Sequence, residues 1–322
     1  MKLKMTDKKI IFFGTPEFAV SILDGLVTHN YNVISVYTQT DKPKGRGNKM
    51  QSPPVKEYAE AHNIPVFQPR TLRDEAVIEE IRAAAPDMIV VAAYGKIFPE
   101  SLLQIPQYGC INVHGSLLPA YRGAAPVQRC IINGETKTGV TIMRMDVGCD
   151  TGDMIAKTET DVPDDMNCGQ LFEVMGQIGS DLLLDTIPDI FDGTAKYEKQ
   201  DEDKATYSPK IEKSELMLDF NRPAKQLHDL IRGVYPLLVC GCYQNSQKGR
   251  KGLRIAKTEV CEGEGEPGTV IAADAKNNSL IVACGEGALD VKELIPEGKQ
   301  KMKSADYIRG RQISEGDILS KE

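Results

Sequence analysis

The sequence of 322 residues predicts an α/β fold, a Rossmann-like, mostly parallel sheet with helices on both faces, followed by a small β-barrel. Three observations predict it. Strand-like and helix-like patterns alternate between residues 9 and 103. A polar, charged run at residues 192–211 then interrupts the apolar pattern. Beyond it the rhythm changes to five short strands separated by Gly-rich turns, at 239–244, 253–260, 268–272, 279–283 and 288–294. The expected division is therefore a first domain over 1–191, a linker over 192–211 and a second domain over 212–322.

Residues 9–13 read as the first buried strand, and Gly14, Thr15 and Pro16 as a turn whose proline suits the first turn of a helix. The G-x-G-x-x-G fingerprint is absent, which argues against a dinucleotide cofactor. Residues 32–38 supply a second strand. The stretch 41–55, DKPKGRGNKMQSPPV, holds four cations, three prolines and two glycines, the profile of an exposed mobile loop. Helix, strand, helix and strand follow at 54–62, 66–68, 72–85 and 88–92, and a short helix at 99–103.

The apolar run at 110–113 reads as a further buried strand. Asn112 and His114, two residues apart, then point to one side and Val113 to the other. Gly115 and the SLLP run end the strand, leaving an amide and an imidazole at the mouth of a loop. Strand ends of this kind are where open α/β sheets bind ligands. Asp150 lies in the turn DVGCDTGD between two segments of a hairpin, 140–145 and 154–160, within reach of the imidazole in such a fold. The plainer readings are a hydrogen-bonded rim histidine and ordinary Asp-rich turn chemistry. A calcium loop is excluded, because the positions that need Gly and Glu, counted from Asp146, are Thr151 and Lys157.

An apolar stripe over residues 167–187 predicts a helix packed on the sheet and ended by Pro188. Asn221 reads as the cap of a helix running to Arg232. Among the later strands, Lys248, Arg250, Lys251, Arg254, Lys299, Lys301 and Lys303 make either a phosphate-facing surface or a solvated rim.

Composition bounds the rest. The net charge of −7 leaves any RNA contact to local basic patches. Eight cysteines lack C-x-x-C or zinc spacing and read as reduced packing thiols of a cytoplasmic protein; Cys240 and Cys242 share one strand face, and Cys149 stands out only by its place beside Asp150. No segment has the apolar length to cross a membrane, and no metal-ligand cluster is evident.

The stretches NVHGSLLPAYRGAAPVQR and TGVTIMRMDVGCDTGDMI resemble the signature of the folate-dependent formyltransferases. GTPEFAV, KPKGRG, PGTV and GKQKM fit the same family in the same order, so the resemblance spans nearly the whole chain. Tyr121 stands where many members carry Trp, and Cys149 where an aliphatic residue is usual. The resemblance implies an OB-like barrel for the second domain. It also implies formyl transfer from 10-formyltetrahydrofolate to the α-amine of methionine carried on initiator tRNA, in a ternary complex, by a monomer that needs neither metal nor covalent intermediate.

Residue by residue, the resemblance implies that Asn112 donates to the developing oxyanion, His114 adds a donor and assists proton transfer, and Asp150 holds the imidazole and its charge. It implies a folate-contacting wall at Ser116, Leu117, Leu118 and Pro119, with the backbone at 91–95 beside the heterocycle. Lys42 and Arg46 become contacts to the acceptor end of the tRNA, while Arg122 and Gly123 shape the loop or meet substrate. Two rivals remain at this level. One is a formyltransferase acting on glycinamide ribonucleotide or an amino sugar, the other a noncatalytic RNA-binding protein on the same scaffold.

Overall fold

The computed structural model describes residues 7–44, 49–247 and 249–322. The described residues form two compact units, one within 7–126, 137–160 and 172–209, the other within 127–136, 161–171 and 210–322.

The chain begins with β1 (Lys9–Gly14), α1 (Glu17–Thr28), β2 (Asn32–Tyr37), β3 (Lys42–Lys44), β4 (Lys49–Gln51), α2 (Pro54–Ala61) and β5 (Val66–Phe67). It continues through α3 (Glu75–Ala84), β6 (Met88–Ala92), α4 (Glu100–Leu103), β7 (Cys110–His114), β8 (Arg122–Gly123), α5 (Pro126–Ile132), β9 (Lys137–Arg144), β10 (Met154–Asp161) and α6 (Cys168–Asp192). The principal sheet of the first unit runs β10-β9-β7-β6-β1-β2-β5. Its strands from β5 to β7 are parallel, and β9 joins antiparallel.

Each central strand is buried on both sides, which is why β1 and β6 read as unbroken apolar runs. Ile11, Phe13, Ile89 and Val91 pack with Ile81 of α3 and Leu102 of α4 on one face. On the other face, Gly179 of α6 sits where a β-carbon would press on Val113, Ile22 and Val140. A side chain at Gly25 of α1 would likewise collide with Ser180. Helices therefore cover both faces, and the glycines set how closely α1 and α6 approach.

Three local expectations change. α6 continues through Pro188 to Asp192. One lost backbone hydrogen bond is outweighed there by burial of Ile187 and Ile190. The stretch after Asp41 forms the hairpin β3–β4, with Lys42 opposite Gln51, before α2 starts at Pro54. Asn221 caps no helix. Its amides donate to Asp219 Oδ1 at 3.1 and 2.8 Å, and the next helix starts beyond Pro223.

The segment expected as a linker is ordered: β11 (Tyr207–Ser208) pairs in parallel with β8, and Gln200 is buried. In the second unit, α7 (Ala224–Val234) precedes β12 (Cys240–Ser246), β13 (Gly249–Cys261), β14 (Val270–Asp274), β15 (Ser279–Ala283), β16 (Ala288–Pro296), β17 (Met302–Lys303), α8 (Ser304–Arg309) and β18 (Ile318–Ser320). The antiparallel order is β14-β15-β16-β13-β12-β18, with β17 on β16. The sheet curls until its outer strands meet, Thr269 bridging Ile318 and Leu319 N donating to Gly268 O at 2.7 Å. Edge pairing of this kind is the barrel-like solution predicted for these short strands.

Candidate functional site

β7 carries the site because its residues alternate. Val113 points into the α6 side, so Asn112 and His114 share the opposite side at the carboxyl end of the strand. Both are buried, at 9% and 5% exposure. Asp150 arrives from the turn after β9. Its Oδ1 lies 3.5 Å from Asn112 Nδ2 and 3.6 Å from His114 Nδ1. Its Oδ2 accepts the backbone N–H of Gly123 at 2.8 Å. Three polar groups, Asn112, His114 and the Gly123 N–H, thus meet around one carboxylate from a distant part of the chain.

The histidine tautomer follows from its second contact. His114 Nε2 lies 3.1 Å from Tyr121 O, and a carbonyl only accepts, so Nε2 carries hydrogen. Nδ1 therefore faces Asp150 as an acceptor in the neutral ring and as a donor once protonated. A proton gained there converts two facing acceptors into an ion pair, and that makes the pair suited to proton handling.

The turn holding Asp150 is tied from inside by Asp146, whose Oδ1 accepts from Gly148 N at 3.0 Å and Thr151 Oγ1 at 2.6 Å. Asp150 itself has a left-handed backbone, φ 55°. Cys149 is exposed, and its thiol lies 3.7 Å from Asp150 Oδ2. Partial desolvation of the sulfur by its neighbours first, then the carboxylate of Asp150, pushes that thiol above its ordinary value, which keeps it protonated and a poor nucleophile.

The SLLP loop is rigid. Ser116 Oγ donates to Ala120 O at 2.6 Å, and Thr141 Oγ1 links Ser116 O and Leu118 N at 2.7 and 3.1 Å. Lys157 Nζ donates to Leu118 O at 2.7 Å. Ser116 and Leu118 are buried, while Leu117 and Pro119 are partly exposed.

Lys42 is exposed and donates to Gln39 Oε1 at 2.7 Å, and Gln39 in turn donates to Tyr94 O at 2.8 Å beyond the end of β6. Lys96 is held below its usual value by burial first and by the charge of Lys42 second, the two like charges disfavouring one another. Arg46 lies outside the described residues, as does Lys248. On the barrel, the Arg250 guanidinium sits 3.8 Å from the Tyr243 ring centre, whereas Lys301 is paired with Glu293 at 2.7 Å. Among the described residues, no group of three or more His, Cys, Asp or Glu is placed to hold a metal ion, and no helix is long and apolar enough to cross a membrane.

The formyl transferase family matches residues 8–187, and the formyl transferase C-terminal domain matches residues 210–312. The chain belongs to the formyltransferase family. It is 45% identical over 317 residues to the methionyl-tRNA formyltransferase of Trichlorobacter lovleyi, covering 98% of each chain. It is 44% identical over 312 residues to that of Bacillus subtilis, covering 97% of each. Among solved structures, the N-formyltransferase of Helicobacter canadensis has a TM-score of 0.64 at 18% identity, over 92% of this chain and 100% of that one. HypX from Aquifex aeolicus, solved with tetrahydrofolic acid, has a TM-score of 0.66 at 15% identity over 94% of this formyltransferase, which spans 47% of the HypX chain. At such identities these structures establish the fold alone.

Sequence reasoning named Arg122 as shaping the loop but missed Gln200 and Glu202, its partners behind the candidate site. Arg122 is 1% exposed and forks onto Glu202 at 2.8 and 2.7 Å, and its Nε donates to Gln200 Oε1 at 3.0 Å. The available signal was Arg122 itself. An arginine inside an apolar motif needs an anionic partner, and the acidic run after Gln200 offers one.

Proposed function

We propose that this formyltransferase moves the formyl group of 10-formyltetrahydrofolate to the α-amine of methionyl initiator tRNA, producing the N-formylmethionyl-tRNA used to begin translation. The observation that carries the reading is similarity to proteins of that activity over 97–98% of the chain, both units included, at 44–45% identity.

The amine nitrogen attacks the formyl carbon, giving a tetrahedral centre with a negative oxygen. Asn112 donates to that oxygen, a contribution of about 3 kcal/mol by comparison with other preorganised donors. The attacking nitrogen loses one proton as its bond to carbon forms. His114 Nδ1 receives it while Asp150 holds the charge, a role supported by the 3.6 Å approach of Oδ1. The bond from carbon to folate N10 then breaks, and N10 takes up the proton. Ser116, Leu117, Leu118 and Pro119 form the folate wall, a role supported by the tight bonding of their loop to Thr141.

Lys42 and Arg46 meet the acceptor end of the tRNA. The exposed Lys42 beside Lys96 supports this by raising local positive potential where a phosphate backbone approaches. Residues 1–191 serve as the catalytic domain, 192–211 as the connection and 212–322 as the tRNA-binding domain, a division supported by the antiparallel barrel strands all lying beyond Cys240. The enzyme acts as a monomer in the cytoplasm, where the charged tRNA it uses is a translation component.

Incubation of purified protein with 10-formyltetrahydrofolate and, separately, charged initiator tRNA, glycinamide ribonucleotide or an amino-sugar nucleotide tests the assignment. Formylation of the tRNA alone is expected. Its absence overturns the proposal.

A further inference from the structure

We propose that Gln200 is the positioning residue for Asp150, clamping together the two backbone segments that aim its carboxylate at His114 and Asn112. The proposal rests on the catalytic reading of Asp150 given above.

Gln200 is buried, and its amide is committed on both sides. Nε2 donates to Asp150 O and to Gly152 O, each at 2.8 Å, using both of its hydrogens on the turn. Oε1 accepts from Arg122 Nε at 3.0 Å. Arg122 immediately precedes Gly123, whose N–H holds Asp150 Oδ2 at 2.8 Å. One side chain therefore connects the segment that carries the carboxylate to the segment that orients it. The remaining guanidinium nitrogens of Arg122 are occupied by Glu202, so the line of contacts ends at a carboxylate that is 68% exposed. Asp150 adopts a left-handed backbone that a non-glycine residue holds only when its surroundings enforce it. Without the two donors of Gln200, Asp150 O and Gly152 O lose those partners, and the turn is left to the contacts of Asp146. Oδ1 then drifts from the two residues it faces at 3.5 and 3.6 Å. The bonds that order residues 116–119 do not pass through Gln200.

Gln200→Glu keeps an acceptor for Arg122 and removes the two donors. Turnover should fall roughly 10- to 100-fold, the range for partners that orient a reacting group. KM for 10-formyltetrahydrofolate and for charged tRNA should stay within about twofold, as expected when binding in the ground state is untouched. Gln200→Ala removes the donors without adding charge and is read in the same way, so a folding defect in the first variant leaves the test intact. In a double-mutant cycle read by single-turnover formylation, adding Gln200→Ala to Asp150→Ala should change the residual rate by less than about twofold, because Gln200 acts through Asp150. Losses that multiply overturn the positioning role, as does wild-type turnover of both Gln200 variants beside a crippled Asp150→Ala. Wild-type turnover of Asp150→Ala overturns instead the catalytic reading beneath it.

Discussion

Two His–Asp clusters in this molecule use similar side chains to opposite ends. In the second unit, His228 has both ring nitrogens engaged, Nδ1 with Thr258 Oγ1 and Nε2 with Asp164 O, each at 3.0 Å. Its neighbour Asp229 accepts from Lys225 Nζ at 2.8 and 2.9 Å and from Arg232 Nε at 2.7 Å. Arg232 also donates to Pro163 O and Met166 O at 3.1 and 3.0 Å. In the first unit, His114 has a close partner at Nε2, while Nδ1 and the amide of Asn112 stand 3.6 and 3.5 Å from Asp150. Saturated polar contacts specify structure. Contacts left long, around a carboxylate held from behind, leave hydrogen-bonding capacity for a reacting group.

The comparison breaks most visibly in the saturated cluster. Asp229→Ala removes the close buried counter-charge of Arg232, whose side chain is 6% exposed, leaving only the exposed Asp164 at 4.0 Å among the described carboxylates, and should cost about 3 kcal/mol of stability, seen as a lower denaturation midpoint. Turnover per folded molecule should hold. In the open cluster the expectation reverses. Asn112→Ala and Asp150→Ala should each lower kcat roughly 100-fold or more, about 3 kcal/mol of barrier, with denaturation midpoints and tRNA binding nearly unchanged. Turnover near wild type in either would favour a noncatalytic RNA-binding protein.

Acid sharpens the same contrast. Burial, the largest influence, holds His228 below its ordinary value near 6.5. The unfolded chain then binds the proton first as pH falls, so this part of the stability is present above that value and is lost on acidification towards the lower folded value. Thermal melts between pH 7 and 5 should show this loss, and His228→Asn should flatten that part of the slope. The smallest effect is expected at Cys149. Its thiol stays protonated beside Asp150, so Cys149→Ser should leave kcat within about twofold. A larger loss would show that the thiol takes part in holding the carboxylate.

The alternation of β1, α1, β2 and β6 was legible because β1 and β6 are continuous apolar runs, β2 is rich in β-branched residues and α1 shows its own period. Asn112 and His114 were legible as neighbours because a strand repeats every two residues. Pro188 and Asn221 misled for one reason. Local propensity is worth about 1–3 kcal/mol, and the burial of Ile187 and Ile190 or a competing bond to Asp219 outweighs it. Gln200 stayed hidden because its partners lie 48, 50 and 78 residues away in a run whose composition signals only solvent exposure.

From sequence alone came the class of sheet, the strand bearing an amide and an imidazole on one side, and the family. Short-range periodicity and motif spacing are written into neighbouring residues and survive without coordinates. Only the folded chain decided that Asp150 meets His114 and Asn112, that Tyr121 O selects the tautomer, and that Gln200 and Arg122 stand behind the carboxylate. Those contacts join distant segments, and their distances depend on how a whole sheet packs, which no local pattern encodes.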